Sequence, residues 1–155
     1  MNNEANLTPD TPHMELVYAY TQAQAVADGV QVEVSNVAAE AGIRFPVFLT
    51  RTVFDAFVTV PEGVTGQDEA RRLWDIVWML HFAIRKSQHR QNRLPLALYV
   101  RNDNRKPRLV KLIAFCGPLD IDGAQSAFTV MMPDEDWNVA TWHRHHWHHD
   151  IMPMR

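Results

Sequence analysis

The chain has 155 residues, of which 46% are hydrophobic, and a formal net charge of −3 at neutral pH. A chain of this length forms about one domain and can bury roughly two thirds of its unfolded surface. The single cysteine, Cys116, excludes an internal disulfide, and the longest apolar run, Leu73–Ile84, is shorter than the roughly 20 residues of a transmembrane helix. With no signal peptide before the first apolar stretch, these features predict a cytoplasmic protein without a membrane partner.

In the first third of the chain, the sequence predicts a terminal arm followed by short helices and one short strand. Residues 1–14 are polar, contain prolines and lack periodicity, so we expect a disordered arm. A short helix is predicted from Thr21, and the alternating valines of Val30–Val34 predict a half-buried strand. Two more short helices are expected, each behind a capping residue: Asn36–Ala41 after Ser35, and Arg51–Val58 after Thr50.

The strongest helical pattern covers Gln67–Lys86. Acidic residues stand at its start and basic residues at its end, as the helix dipole favours. Its apolar side chains occupy nearly all sides: Leu73, Trp74, Ile76, Val77, Trp78, Met79, Leu80, Phe82 and Ile84. A helix that is apolar on most sides lies inside a fold. We therefore expect a central helix, in which Trp78→Ala costs about 3–5 kcal/mol.

Three strands are predicted after this helix: Leu94–Arg101, Arg108–Cys116 and Ser126–Met132. The turns between them are rich in Asn, Asp and Gly, which predicts an antiparallel meander. The predicted fold class is α+β, an antiparallel sheet of three or slightly more strands packed against one long central helix and several short N-terminal helices. We expect one domain over residues 15–136, followed by a Trp- and His-rich C-terminal tail over 137–155.

Charge is segregated along the chain. Residues 85–111 carry nine basic residues and one acid, whereas the rest of the chain carries six basic and seventeen acidic residues. The predicted hairpin tip Arg101–Arg108, with Arg101 exposed at its start, could contact phosphate groups or an acidic protein surface. Its basic residues are Arg101, Arg105, Lys106 and Arg108. Only Tyr99 is aromatic nearby, which disfavours binding of single strands by base stacking. A solvated hairpin without a ligand is the alternative.

The tail holds five of the eight histidines within seven residues. If it is helical, His145 and His149 lie one turn apart, the spacing of two-histidine metal capture, and His146 is adjacent. Neutral imidazole is a ligand for zinc and other divalent transition metals. Because a physiological site needs three or four well-held ligands, the alternative is a tail with no cofactor, whose tryptophans dock on the domain or on a partner.

Other reactive residues have structural interpretations. His81 is predicted to be a core or boundary histidine, and Cys116 an inert buried thiol. Pro133–Asp136 is predicted to be a solvated turn rather than an acidic metal cluster. Phosphate loops, nucleophile elbows, dinucleotide fingerprints and paired-cysteine zinc spacings do not occur in the sequence. These observations favour a binding protein over an enzyme.

Short sequence words spread over residues 17–136 carry a family resemblance: Val17–Thr21, Ala27–Val30, Glu40–Val47, Leu49–Arg51, Arg72–Asp75, Pro107–Val110, Gly117-Pro118 and Met132-Pro133. In these words the chain resembles an uncharacterised bacterial family of plasmids and other mobile elements, domain of unknown function 6573. The resemblance implies a mobile-element setting and a compact α/β domain, but no activity and no catalytic residue. The tail after Asp136 departs from the family pattern.

Three functions stay open at this point. The first is a non-enzymatic binding protein of a mobile genetic element that binds a protein partner and antagonises a host defence complex. The second is a nucleic-acid-binding accessory protein that uses the basic segment 85–111. The third is a metal-dependent enzyme, or a metal-binding protein, that uses the His-rich C-terminal region. The sequence makes no prediction of the oligomeric state.

Overall fold

The computed structural model describes residues 25–87, 91–119 and 125–135. Its strands are β1 (Gln31–Glu33), β2 (Val47–Thr50), β3 (Arg93–Val100), β4 (Arg108–Pro118) and β5 (Ser126–Met131). Its helices are α1 (Ser35–Glu40), α2 (Arg51–Val53), which continues as a π-helical turn (Phe54–Val58), α3 (Glu69–Lys86) and a 3-10 turn (Pro133–Glu135). Residues 25–27 are also helical.

The five strands form one mixed sheet in the order β1-β2-β5-β4-β3. The predicted meander is confirmed, because β4 pairs antiparallel with both β3 and β5. The sheet continues beyond it: β5 pairs parallel with β2, and β2 pairs antiparallel with β1. The α+β class and the single long helix are therefore confirmed, whereas the expected antiparallel three-stranded sheet is in fact a mixed sheet of five strands.

Strand β2 is the element that the sequence pattern did not predict. Between Pro46 and the cap residue Thr50, the pattern indicates only a turn and a helix start. The segment is a strand because it has partners on both sides: Val34 N donates to Val47 O at 2.8 Å, and Phe128 N donates to Pro46 O at 2.9 Å. Its three apolar residues are buried, so this short run closes the gap between β1 and the meander.

The start of α1 also differs from the prediction that Ser35 is its N-cap. Val34 occupies the cap position, and no side chain caps the helix. The Ser35 hydroxyl instead donates to the Glu33 carboxylate at 3.0 Å and accepts from Val47 N at 3.1 Å. Its hydrogen bonds therefore join β1 to β2 rather than close α1.

The caps of α2 and α3 follow the ordinary rule for polar N-caps. The Thr50 hydroxyl accepts a hydrogen bond from Val53 N at 3.3 Å, as predicted. The Asp68 carboxylate accepts one from Arg71 N at 3.1 Å, so α3 begins at Glu69, two residues later than the predicted start.

Helix α3 packs on the sheet through one side only. Ile76, Val77 and Leu80 are 0% exposed and form the main core with inward residues of the sheet. On the opposite side, Trp78 and Phe82 are each 42% exposed. The expectation of a helix buried on most sides is therefore wrong. α3 is a surface helix with one fully buried side.

Several predictions concern residues outside the described ranges. The arm 1–14, the start of the helix at Thr21 and the tail 137–155 belong to this group. Within the described part of the chain, no helix combines the length and the apolar character needed to cross a bilayer.

Candidate partner-binding surfaces

The outward side of α3 carries an aromatic cluster, Trp74, Trp78, His81 and Phe82, which we call the aromatic face. Trp78 and Phe82 are exposed, whereas His81 is half-buried and Trp74 is partly buried against the main core. Their spacing of three or four residues places them along one side of the helix. The Trp74 and Trp78 rings stack, with centroids 6.1 Å apart and planes inclined by 20°. The His81 ring lies 5.5 Å from the Trp78 ring. These contacts hold a broad apolar surface in a defined shape.

Cations border the aromatic face. Arg85 is exposed, and the Lys86 ammonium lies 5.3 Å from the centre of the Phe82 ring, a cation–π contact. Arg71 lies one turn before the cluster, and its Nε is 3.7 Å from an Asp75 carboxylate oxygen. Three basic residues and one acid therefore share this side of the helix, a formal excess of two positive charges.

Intramolecular contacts occupy several ring faces of this cluster. The Trp78 ring contacts both the Trp74 ring and the His81 ring. The Lys86 ammonium covers a face of Phe82. These ring faces are partly engaged within the helix, which suits side-chain packing by a partner better than the stacking of flat bases.

Buried Arg72 fixes the position of α3. This side chain is only 5% exposed, and burial lowers the pKa of its guanidinium, an effect that nearby Glu69 partly offsets. Its Nε donates to Phe57 O at 2.9 Å, and its Nη1 donates to Arg101 O at 2.8 Å. Its Nη2 donates to the side-chain oxygen of Asn102 at 2.5 Å. One arginine therefore ties α3 to the π-helical turn and to the end of β3.

Asparagine side chains join the β3–β4 turn to the loop before α3. Asn104 accepts from Thr65 N at 3.0 Å and donates to Gly63 O at 2.9 Å. Asn102 donates to Ala56 O at 2.8 Å. The turn predicted as a free hairpin tip is therefore attached to the rest of the domain.

The four basic residues predicted at this tip have different surroundings. Arg101 is half-buried rather than exposed, and its guanidinium donates to Thr65 O. Arg108 is exposed, with Nη2 at 3.7 Å from an Asp103 carboxylate oxygen. Arg105 and Lys106 are exposed at the turn. All four belong to the β3–β4 connection, but the guanidinium groups of Arg101 and Arg108 already have intramolecular partners.

A cleft of about 390 Å³ separates the first half of α3 from the end of β3. Arg71, Asp75, Tyr99 and Arg101 contribute to its lining. Its walls carry both signs of charge, and the Arg71–Asp75 pair lies inside it. The guanidinium groups of Arg72 and Arg101, which also line the cleft, already donate to backbone carbonyl oxygens, so the cleft adds little to the predicted phosphate site.

His81 and Cys116 have the structural surroundings that the sequence predicts. His81 is half-buried next to Gly42, where an added Cβ would come within 3.4 Å of the imidazole Cε1. Gly42 has φ of 94°, a conformation that favours glycine. Cys116 is partly buried, and burial raises the pKa of its thiol while a hydrogen bond with Ser126 acts in the opposite direction. A thiol with a raised pKa is a poor nucleophile.

The candidate metal ligands His145, His146 and His149 lie outside the described residues. Within residues 25–87, 91–119 and 125–135, no group of three or more His, Cys, Asp or Glu side chains could hold a metal ion. In the acidic turn, a Glu135 carboxylate oxygen accepts from the Thr50 hydroxyl at 3.0 Å and from Met132 N at 2.7 Å. This carboxylate joins the end of β5 to the start of α2.

Sequence reasoning missed the aromatic face because it assigned every apolar residue of α3 to the core. A signal was present. The buried residues recur at i, i+1, i+4 from Ile76, which is enough for one side of a helix. Trp78 and Phe82, spaced by four residues, lie outside this set and continue a second stripe that begins at Trp74, which is itself partly buried against the core. Comparison of the chain with protein-family models, curated proteins and solved structures gave no significant match.

Proposed function

We propose that this protein is a protein-binding module that uses the aromatic face of α3 to bind an apolar, carboxylate-bearing segment of a partner. The observation that carries the proposal is the exposure of Trp78 and Phe82, 42% each, on a helix whose opposite side is fully buried. Both rings belong to a domain that already has a complete core on that helix. Their exposure therefore does not serve folding.

Large aromatic residues on a surface are costly unless a partner covers them. A contiguous exposed apolar patch on a soluble protein is a common mark of an interaction site. Trp and Tyr dominate the binding energy of protein interfaces because they bury much surface with few rotatable bonds. The stacking of Trp74 on Trp78 restricts both rings before binding, which lowers the entropy cost of association.

The charges around the aromatic face select the chemistry of the partner. Arg71, Arg85 and Lys86 lie on the outward side of α3, against the single carboxylate of Asp75. Opposite charges at the rim of an interface raise the association rate and exclude wrong partners. A partner segment with apolar side chains flanked by Asp or Glu therefore fits this surface best.

A nucleic-acid partner is less well supported by the same residues. Binding of single strands requires free aromatic faces on which bases stack, but His81, Trp74 and Lys86 occupy faces of these rings. At the β3–β4 turn, Arg101 binds Thr65 O and Arg108 pairs with Asp103. Arg105 and Lys106 are then the main cations left for phosphate contacts at the turn.

The mobile-element setting and the role as an antagonist of a host defence complex are part of the same proposal. The setting comes from the family resemblance, whereas the antagonist role is supported by the small size of the chain, its segregated charge and the absence of catalytic motifs from its sequence. The surface on α3 is compatible with such a role because a small protein can block a larger complex by occupying one of its interfaces. The proposed binding surface does not depend on that setting.

The test is site-specific photo-crosslinking of the full chain in bacterial cells. Phe82 is replaced by a photoreactive phenylalanine analogue, and Leu109 serves as the matched control because it is 40% exposed on a different surface. Lysates are treated with nuclease before the adducts are identified by mass spectrometry. We expect a protein adduct from position 82, mapped to a segment with several Asp or Glu residues, and no such adduct from position 109.

Two further variants decide between explanations. Trp78→Ala in the Phe82 cross-linking background should abolish the adduct, whereas Arg105→Ser with Lys106→Ser should leave it unchanged. An adduct that nuclease removes would support a nucleic-acid partner instead. An adduct only with a second copy of the chain, or the same adduct from positions 82 and 109, would refute the proposal.

A further inference from the structure

Strand β3 has the longest unpaired edge in the described part of the chain. It spans eight residues, Arg93–Val100, and pairs with β4 on one side only. At the other end of the sheet, the edge strand β1 spans three residues. An unpaired strand edge presents a row of backbone donors and acceptors, which is a template for a further strand.

The register of β3 on β4 shows which backbone groups point to this edge. Cys116 N donates to Asn92 O at 2.7 Å, so these two residues form a hydrogen-bonded pair that continues the β3–β4 register. Hydrogen-bonded and non-hydrogen-bonded pairs alternate along an antiparallel ladder. The even-numbered residues of β3 therefore bond to β4, whereas Pro95, Ala97 and Tyr99 direct their backbone polar groups away from β4.

Two features of this edge restrict what can pair with it. Pro95 has no N–H, so a strand opposite it must present a carbonyl that needs no donor from this position. Just beyond the end of β3, Arg101 O already accepts a hydrogen bond from Arg72 Nη1 at 2.8 Å. The edge therefore lacks a donor near its start and has a satisfied acceptor at its end.

We propose that β3 pairs antiparallel with β3 of a second copy of this chain, with Leu98 on the two-fold axis. In this register Ala97 faces the partner subunit's Tyr99, and the two residues exchange both of their backbone hydrogen bonds. Pro95 faces the partner subunit's Arg101, whose N–H can donate to Pro95 O. The donor that Pro95 lacks is thus opposite a carbonyl that already has one.

The proline also makes other pairings less favourable. With Pro95 opposite Ala97 or Tyr99 of the partner subunit, a backbone carbonyl in the new ladder would lose water without gaining a donor. A register shifted the other way would use the β3–β4 turn, which asparagine side chains tie to neighbouring loops. A strand of an unrelated protein would meet Pro95 without this compensation, so the edge matches its own copy best.

The cleft beside β3 gives access to this edge and is compatible with a two-fold contact. Its lining includes the last residues of β3 together with Arg71 and Asp75 of α3. A two-fold interface brings the same patch of both subunits together, so the patch must complement itself. A wall with both signs of charge meets this requirement because each charge can face its opposite across the axis, whereas a wall of one sign would repel its copy.

The test compares the dimer dissociation constants of the wild-type chain, Tyr99→Pro and Tyr99→Ala by sedimentation velocity over a range of concentrations. The Tyr99 N–H points away from β4, so proline at this edge position leaves the β3–β4 ladder intact. We expect the dissociation constant of Tyr99→Pro to rise by at least about tenfold, because a carbonyl of each subunit loses its donor. Tyr99→Ala keeps the N–H and should dimerise like the wild type.

The other outcomes would overturn the proposal. A chain that stays monomeric at all concentrations would show that the edge does not pair. An unchanged dimer in Tyr99→Pro, or equal weakening in Tyr99→Pro and Tyr99→Ala, would place the contact elsewhere than on the backbone of this edge. The proposal is independent of the aromatic face, so Trp78→Ala should dimerise like the wild type. Loss of the dimer in Trp78→Ala would assign self-association to that face instead.

Hydrogen exchange of the wild-type chain decides the case in which Tyr99→Pro fails to fold. The Ala97 and Tyr99 amides should exchange at least about tenfold more slowly above the dissociation constant than far below it, because exchange follows the open fraction of each amide. The Leu98 amide, which points to β4, should be protected at both concentrations and is the internal control. Equal exchange of the Ala97 and Tyr99 amides at both concentrations would contradict the pairing.

Discussion

The two sides of α3 are made of similar residues but have opposite surroundings. On the inward side, Ile76, Val77 and Leu80 are fully buried against the sheet. On the outward side, Trp78 and Phe82 are 42% exposed and stand beside cations. Apolar composition alone therefore does not distinguish a residue that stabilises the fold from one that is available for a partner. The distinction depends on which side of the helix the sheet covers.

This difference separates stability from binding within a single helix. Changes on the inward side should lower the free energy of unfolding and alter binding only through loss of the fold. Changes on the outward side should leave the free energy of unfolding nearly unchanged and weaken binding. Matched pairs of variants on the two sides can test this separation directly.

The largest effect is expected for Leu80→Ala. Emptying a fully buried leucine site should lower the free energy of unfolding by about 2–5 kcal/mol. The matched control is Leu109→Ala, a leucine that is 40% exposed, which should change it by less than about 0.5 kcal/mol. Urea denaturation of both variants gives the comparison. Equal losses would mean that the inward side of α3 is not the main core.

Arg72→Lys should have the next largest effect. Lysine keeps the charge but cannot reproduce the fork that reaches Phe57 O, Arg101 O and Asn102 together. Loss of these bonds from a buried site should lower the free energy of unfolding by about 1–3 kcal/mol. Arg71→Lys, at the exposed neighbouring position, is the control. Hydrogen exchange in the Arg101–Pro107 turn should increase only in the Arg72 variant.

Trp78→Ala should change stability much less than the sequence alone predicts. With the indole partly in solvent, the expected loss in unfolding free energy is about 1 kcal/mol or less, against the 3–5 kcal/mol expected of a core site. The neighbouring Met79 is 4% exposed, and Met79→Ala should cost about 2–5 kcal/mol. If Trp78→Ala proved as destabilising as Met79→Ala, the outward side would be part of the core.

The smallest effect is expected for the double change of Arg105→Ser and Lys106→Ser. Both side chains are exposed, so the free energy of unfolding should change by less than about 0.5 kcal/mol. If the turn binds a DNA duplex, the same change should flatten the log–log salt dependence of the affinity by about two units. Absence of binding to a 30-base-pair duplex at low salt would eliminate the nucleic-acid function at this turn.

The predicted parts of the fold share one property: their signal is local. The Thr50 cap, the acidic start and basic end of α3 and the Asn-rich turn at Asn102–Arg105 each follow from residues a few positions apart. β3, β4 and β5 are neighbours in sequence and pair as a meander, so alternation and turn residues were enough to predict them.

The unpredicted parts depend on contacts between distant segments. β2 pairs with β5 through Val47–Phe128 and Leu49–Val130, about eighty positions apart in the sequence, and three consecutive apolar residues carry no period that reveals this. Likewise, the Ser35 hydroxyl forms hydrogen bonds with Glu33 and Val47 and does not cap α1. The aromatic face was missed for the same reason, since the sequence does not show which side of α3 the sheet covers.

The most direct test of the central claim is the affinity of the cross-linked partner for Trp78→Ala. The partner identified from position 82 would be titrated by calorimetry into the wild-type protein, Trp78→Ala and Leu109→Ala. Loss of an interface anchor costs about 2 kcal/mol or more, so we expect at least about tenfold weaker binding for Trp78→Ala. Leu109→Ala should bind like the wild type. Equal affinity of all three proteins would contradict the assignment of the aromatic face as the binding surface.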